Sequence, residues 1–501
     1  MSETQTSTPQ SVACFQFTSN SIQLAASFEV LTSWNKENNL DVTYFWLGSN
    51  TSYPSRMARG MDTIMPWKRM PKVIRKSLKA IPFHALETRN VLPQSRNTKR
   101  AVTAFLTQLE RVRSIQEFQS LTWEGINPGG ALANSFVYET ERQTFSISED
   151  KTLITLLLRS YLEVYFGTQI IIDANELASV LIYNGRFLHE RAVWDACRSR
   201  NIDVFIFETT RNRYHLRKNE GFHDRILNQN YMKKLWIEKS RSLSKNELEI
   251  LGSKYFFDLE SKKNRFFNYS AEPSNLELVS DYFVYFSNSD DEAVGFWESW
   301  NEPFLSQIDL IRNLQEYFEK QESSHLYVRL HPNLANKSKT EQAKWDCLQG
   351  GKFSTIIGPS TPASSYRLLR GSKGVISYGS TIGIEAAFHQ VPSAVLADCW
   401  YDELGVADKL TDMESLYHWI ENIAGIFNES VLMERKQNSL SRGLWLELSG
   451  SFFPNTSMKE LDWGSWEVER FCQTAFHRSL PKHFFAIFSN KVKRRMVGLS
   501  P

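Results

Sequence analysis

At 501 residues the chain is too long for one hydrophobic core, since single cores stop growing at roughly 250–300 residues, so two large domains are expected. Its 42% hydrophobic, 13% aromatic and 23% charged content is globular and excludes global disorder, while 58 basic against 56 acidic residues give no overall charge to attract a nucleic acid. Five scattered cysteines without a C-x-x-C pair exclude a disulfide framework or a structural zinc site and fit a reducing, cytoplasmic location.

Residues 1–10 are polar, lack the basic start and apolar run of a secretory signal, and read as a disordered leader. Nowhere do about 20 apolar residues follow one another, so no membrane-spanning helix is expected. From Val12 the pattern alternates between short β-branched runs and longer helical spacing. Val12–Thr18 predicts a strand, 22–38 a helix and Asp41–Leu47 a second strand, which is one parallel crossover unit. Helical spacing recurs at 101–115 and 151–167. A strand at Ser179–Tyr183, a helix at 187–200 and a strand at Val204–Phe207 then form a second such unit. Together 11–235 are expected to form an N-terminal Rossmann-like domain and 236–278 a charged helical connection.

A new unit is expected to begin with the strand Asp281–Phe286 and to continue through a helix at 302–321 and strands at Leu326–Leu330, Ser354–Ile357, Gly374–Ser377 and Ala394–Ala397. The fold class is therefore α/β: two Rossmann-like domains, 11–235 and 279–465, facing each other across a cleft. A long helix at Trp463–Ser479 and a basic tail would complete 466–501.

In open α/β sheets ligands bind outside the carboxyl ends of the strands, and the second domain puts a distinctive set there. Tyr327-Val328-Arg329-Leu330-His331-Pro332 ends a strand with a histidine able to donate to a phosphate oxygen, or to act only as a loop cap, and a proline that fixes the backbone behind it. Some fifty residues on, Gly374-Val375-Ile376-Ser377-Tyr378-Gly379-Ser380-Thr381-Ile382-Gly383-Ile384-Glu385-Ala386-Ala387 runs a strand through a turn of small residues into a helix. Ser380 or Thr381 would cap that helix, where main-chain N–H groups suit a phosphate. Glu385, among apolar neighbours one turn in, would face the cleft and accept hydrogen bonds from ribose hydroxyls.

The R-x-H-P strand end followed by G-S-T-x-G-x-E-A-A resembles bacterial capsule polysaccharide biosynthesis glycosyltransferases of the GT-B fold, including Kdo and sialic-acid transferases with a His-Pro motif. The resemblance implies that His331 and Arg329 lie at the donor phosphate, that Ser380 and Thr381 bind it, and that Glu385 holds the nucleotide. Ser287, in the loop 287–292, would line the cleft. The common retaining GT-B pattern has a second glutamate eight positions before the first; here Ser377 stands there, which argues against a mainstream UDP- or GDP-sugar enzyme.

In the N-terminal domain Tyr183-Asn184-Gly185-Arg186, with Glu190 and Arg191 after it and Glu208 at the next strand end, is the candidate acceptor side. Arg186 would clamp a carboxylate or phosphate, Glu208 would act as general base toward an acceptor hydroxyl, and Asn184 would bind substrate. Arg186 and Glu208 can equally pair with each other, and Asn-Gly can be no more than a turn. Thr18, Ser19 and Asn20 would line the same side. From Arg56 to Lys79 eight basic residues face one acid, Asp62. That segment and the tail Phe484–Arg495 read either as attachment sites for an anionic membrane or lipid-linked acceptor, or as solvated helices.

The function expected is a glycosyltransferase that moves a sugar from a nucleotide donor, CMP-linked by preference, to a surface-glycan acceptor. No cofactor is expected, since the nucleotide sugar is itself the substrate. Without a D-x-D motif no bridging metal is expected, and no nucleic-acid partner. Two other readings remain open: a sugar-nucleotide 2-epimerase-like enzyme on the same architecture, and a non-catalytic scaffold retaining it.

Overall fold

The computed structural model describes residues 9–17, 21–47, 51, 78–79, 81–140, 146–210, 213–261, 277–288, 305–337, 339–460 and 466–470. The basic segment Arg56–Lys79 (apart from Leu78 and Lys79), Thr18–Asn20, most of the loop 287–292, the leader apart from residues 9–10, and the C-terminal tail lie outside them.

Two sheets organise the chain. The first has seven strands: β1 (Gln10–Gln16), β2 (Leu40–Trp46), β3 (Ala85–Arg89), β4 (Ser179–Tyr183), β5 (Asp203–Thr210), β6 (Arg213–Lys218) and β13 (Ser451–Phe452), in the order β13-β6-β5-β4-β1-β2-β3. Strands β1 to β5 run parallel, and β6 and β13 pair antiparallel at one margin. Side chains alternate along the central strands between two apolar layers, as a sheet covered on both faces requires. In β1, Ala13 and Phe15 face a core shared with the helices Asn97–Leu109, Pro128–Thr140, Ile147–Ala174 and Leu188–Arg198, whereas Val12 and Cys14 face the helix Ser21–Glu37.

The second sheet has six parallel strands, β7 (Tyr282–Phe286), β8 (His325–Arg329), β9 (Ser354–Ile357), β10 (Gly374–Ser377), β11 (Ser393–Val395) and β12 (Asp408–Lys409), in the order β12-β11-β10-β7-β8-β9. Counted within each sheet, with β13 set aside as an added seventh strand of the first, both orders are 3-2-1-4-5-6. Winding therefore reverses between β1 and β4 in one sheet and between β7 and β10 in the other, and such a switch point opens a crevice above the strand ends. Both expected Rossmann-like domains are present.

Several expected elements shift. β1 begins at Gln10, inside the expected leader, and ends at Gln16. The irregular region after β2 holds the margin strand β3. The expected connection is a helical pair, Arg225–Ser240 and Lys245–Ser261. The pair packs on the second domain: Met232 and Phe256 share a core with Ile384, Phe388, Val395 and Tyr401. The end of the expected second domain instead returns to the first, where β13 pairs with β6 and buried Glu29 holds the Asn455 main-chain N–H at 2.9 Å and the Thr456 hydroxyl at 2.8 Å. The long C-terminal helix is corrected too. Trp466–Arg470 is a strand, β15, paired with β14 (Ser457–Glu460), because Trp-Glu-Val-Glu-Arg alternates with a period of two. Among the described residues no helix is long and apolar enough to cross a membrane.

Candidate functional site

At the switch point of the second sheet, Phe286, Ser377 and Arg329 lie in one register row across β10, β7 and β8, so the residues just after them share the crevice. Ser287, the first residue past β7, donates its main-chain N–H to the Arg329 carbonyl at 3.1 Å, and its hydroxyl accepts the His331 main-chain N–H at 2.8 Å. His331 is thereby fixed beyond the end of β8. Pro332 opens the short 3-10 helix Pro332–Asn336, and the Asn333 N–H donates to His331 Nδ1 at 3.2 Å, so the proton of the neutral ring is on Nε2. A serine, a strand end and a proline together aim one imidazole nitrogen.

The turn after β10 is shaped by two glycines. Gly379 adopts φ +93°, which a side chain would strain, and packs against the Asp398 carbonyl. At Gly383 a Cβ would run into the hydroxyl of Tyr401, which donates to the Ser380 carbonyl and holds the turn down. Thr381 is exposed and precedes the helix Ile382–Phe388. Its hydroxyl makes no capping bond; instead Thr381 and Tyr366 are hydrogen-bonded to the carboxyl of Glu385. Glu385 is buried, which raises its pKa, and those two hydroxyls oppose the rise.

Three expected donor residues therefore stand differently. Glu385 is buried and held between Tyr366 and Thr381. Arg329 is 1% exposed and donates from its guanidinium to the Gly358 carbonyl beyond β9, which braces a strand end. Ser377 is fully buried beneath the turn. His331, Ser380 and Thr381 remain the groups at the surface of this edge.

At the switch point of the first sheet, Asn184 and Gly185 turn the chain in the left-handed region, with φ +55° and +75°, and the Arg186 N–H donates to Asn184 Oδ1 at 3.2 Å. Glu208 is bound from three sides. Its Oε1 accepts from the Tyr183 hydroxyl and from the Thr209 N–H, both at 2.9 Å, and its Oε2 accepts from the Asn184 amide. Burial raises the Glu208 pKa while these donors and the nearby Arg186 charge lower it. His223 Nε2 lies 2.9 Å from Asn184 Oδ1 and donates to it; burial, then Arg186 and Arg217, push that imidazole well below its usual pKa, so it is neutral. Asn184, Arg186 and Glu208 are thus brought together as expected. Arg191 is not part of this set: it pairs with Asp195, Nε to Oδ1 3.0 Å, inside the core.

The two edges are joined. Two residues after His223, Arg225 reaches the second domain, with NH1 2.8 Å from both Asp402 oxygens and NH2 3.2 Å from Asp398. Lys409 bridges Asp398 and Asp402, and Gln229 donates to Asp402 at 2.7 Å. Two residues span at most about 7 Å. The Asn184 turn is therefore tied through 223–225 to Asp398, whose carbonyl lies against Gly379 of the Gly-Ser-Thr turn. Both carboxyl edges border one cleft.

Residues 271–422 match the model of the family described as capsule polysaccharide biosynthesis protein. Both the R-x-H-P strand end and the Gly-Ser-Thr turn lie inside this segment, so the resemblance drawn from those residues holds. No curated protein matches the sequence. Among solved structures, the β-Kdo 2,4-transferase KpsC of Thermosulfurimonas dismutans overlaps 52% of this chain and 79% of its own at 12% identity and TM-score 0.33. The β-Kdo 2,7-transferase KpsC of that organism overlaps 59% and 88% at 11% identity and TM-score 0.30. The UDP-GlcNAc 2-epimerase of Methanocaldococcus jannaschii, solved with UDP-GlcNAc and UDP, overlaps 87% and 99% at 12% identity and TM-score 0.30. Overlaps this slight say nothing about activity. The second domain holds further residues that the sequence alone did not single out: Tyr366, Tyr401 and the Asp398/Asp402 pair, whose only signal is the polar Asp-x-x-x-Asp spacing after β11.

Proposed function

We propose that the protein is a GT-B glycosyltransferase of capsule-type glycan synthesis that takes a nucleotide sugar in the C-terminal crevice and an acceptor in the N-terminal one. The observation that carries this reading is the tie through His223 and Arg225, which brings the Asn184 turn and the Gly379–Glu385 turn to one cleft. The family match over 271–422 supports a sugar-transfer chemistry for the same residues.

In this reading the donor phosphate meets Nε2–H of His331 and the hydroxyls of Ser380 and Thr381. These would stabilise the charge that develops on the leaving nucleotide without a bridging metal. Arg186 faces the acceptor side, where its planar fork suits a carboxylated sugar, and this supports CMP-linked donors and a glycan or lipid-linked acceptor. The acceptor hydroxyl loses its proton to a carboxylate of the Glu208 cluster. The work would be done on the cytoplasmic side of the membrane, where nucleotide sugars and growing glycans meet.

Thermal stabilisation by a panel of CMP, CDP, UDP and GDP and their sugars tests this, run in parallel on His331→Ala. A rise in Tm with one base, lost in the variant, is expected; ligand at about 100 times its Kd adds about 2.7 kcal/mol. No rise with any nucleotide in folded protein overturns the reading. Interconversion of the free nucleotide sugar with no acceptor present would replace transfer by epimerisation.

A further inference from the structure

The helix Arg225–Ser240 begins beside the cleft. Asp224 caps it by accepting the Leu227 N–H at 2.9 Å, next to His223, which holds the Asn184 turn. One stripe of this helix serves the fold: Arg225, Gln229 and Met232 are buried against the second domain, and Trp236 packs on the same core. These positions recur every three or four residues, as one face of a helix does.

A second stripe faces solvent. It consists of Ile226, Asn230, Lys233, Lys234 and Ile237, with Arg241 at the C-cap, all of them exposed. Ile226 is 41% and Ile237 53% exposed. They stand in line about three turns and about 16 Å apart, with the two lysines between them. Among the described residues Lys233, Lys234 and Arg241 are in no ion pair. Exposed aliphatic side chains scattered singly need no explanation, but two in register among unpaired cations form a basic amphipathic stripe.

The next helix, Lys245–Ser261, provides a contrast. It too exposes apolar side chains, Ile250 and Phe257, yet its charges are mixed and paired with one another. Glu249 meets Lys436 at 3.2 Å, and Lys254 meets Glu447 at 3.0 Å and Asp258 at 3.6 Å. Exposed apolar groups therefore occur on both helices, and unpaired positive charge among them on the first.

We propose that the stripe from Ile226 to Arg241 docks on an anionic phospholipid surface. Lysine and arginine at such a surface gain from the field of many headgroups and need no fixed partner, while the isoleucines enter the boundary between headgroups and acyl chains. A protein partner is the less suited occupant, because protein hot spots are rich in aromatic anchors. Here Tyr231 donates to Glu220 at 2.7 Å and Trp236 packs on the core, which leaves the stripe without an aromatic side chain. Docked along this stripe, the helix holds its first turn, and with it the Asn184 edge, at the lipid. The acceptor role of that edge rests on the glycosyltransferase reading above; the docking itself does not.

Co-sedimentation of the full chain with vesicles tests this, using phosphatidylcholine alone and phosphatidylcholine with about one-third phosphatidylglycerol. Binding to the anionic vesicles alone is expected, and its loss at about 1 M salt, where the Debye length falls to about 3 Å. Each cation at the surface is worth about fivefold, so Lys233→Glu/Lys234→Glu should weaken binding at least about 25-fold. Ile237→Asp should weaken it at least about tenfold, and Ile250→Asp on the neighbouring helix less than about threefold. All these positions are exposed, so the variants should melt with the parent, and the nucleotide-induced rise in Tm should be unchanged in each. A parent that ignores anionic vesicles, or that binds both vesicles alike, overturns the proposal. So do helix variants that bind as the parent does, which would assign attachment to another part of the chain, such as Arg56–Lys79. Binding to soluble polyglutamate as tight as to vesicles, with Ile237→Asp indifferent, would assign the stripe to an acidic protein instead. None of these results bears on the nucleotide panel, whose failure overturns the glycosyltransferase reading alone.

Discussion

Above the carboxyl ends of the two sheets the same strand order supports different materials. The second sheet's edge is built from main chain and hydroxyls: a glycine turn held down by Tyr401, a histidine whose backbone is fixed by Ser287, and a glutamate turned inward onto Tyr366. The first sheet's edge is built from ionisable side chains: Glu208, His223 and Arg186 around one left-handed Asn-Gly turn. The first arrangement suits an anion that is to be held, the second a proton that is to be moved. Topology alone does not assign these roles, since it is common to both.

The largest effect is expected at the tie between the edges. Arg225→Ala leaves Asp398 and Asp402 buried with Lys409 as their remaining cation among the described residues, and removing one partner of such a network costs about 3–5 kcal/mol. Urea denaturation should show that loss; a change under 1 kcal/mol would mean that the edges are not held together there. A pH series sharpens the contrast next. Because burial raises Glu190 from 4.5 to about 8, the stability attached to its protonated form is fully present below 4.5 and is lost as the pH rises through about 8. Glu190→Gln removes that slope, so the variant should gain on the parent across this window, whereas Glu385→Gln should lack the bonds that Tyr366 and Thr381 give the anion and gain less.

Smaller effects are expected within the second edge. Gly383→Ala drives a methyl into the Tyr401 hydroxyl and should cost about 1–3 kcal/mol in melting experiments, together with the nucleotide-induced shift if the Ser380 turn moves. Tyr366→Phe removes one bond to a buried carboxyl and should cost about 1 kcal/mol. Indifference to both would mean that this edge is less preorganised than its geometry indicates.

Much of this was legible from sequence. Runs such as Ser179–Tyr183 and Tyr282–Phe286 are apolar throughout because both faces of their sheets are covered, and they stand out at any reading. Margin strands were not legible: Ala85–Arg89 and Arg213–Lys218 are polar and resemble loops until a neighbour supplies their hydrogen bonds. Trp466–Arg470 lies inside the expected helix Trp463–Ser479 but is a strand, in keeping with its own two-residue period. Within the site, motif positions were legible but orientations were not, as buried Arg329, Ser377 and Glu385 show.

By itself the sequence determined the two parallel α/β halves, the strand ends that carry His331, the Gly-Ser-Thr turn and the Asn-Gly turn, because hydrophobic period and turn chemistry are local properties. Tertiary structure decided which of those side chains open on the cleft and which brace it. It also decided that residues 223–225 tie the edges together, and that Arg191 is drawn into the core by Asp195. Burial and ion pairing depend on residues far apart in the chain, and only the packed fold brings them within reach.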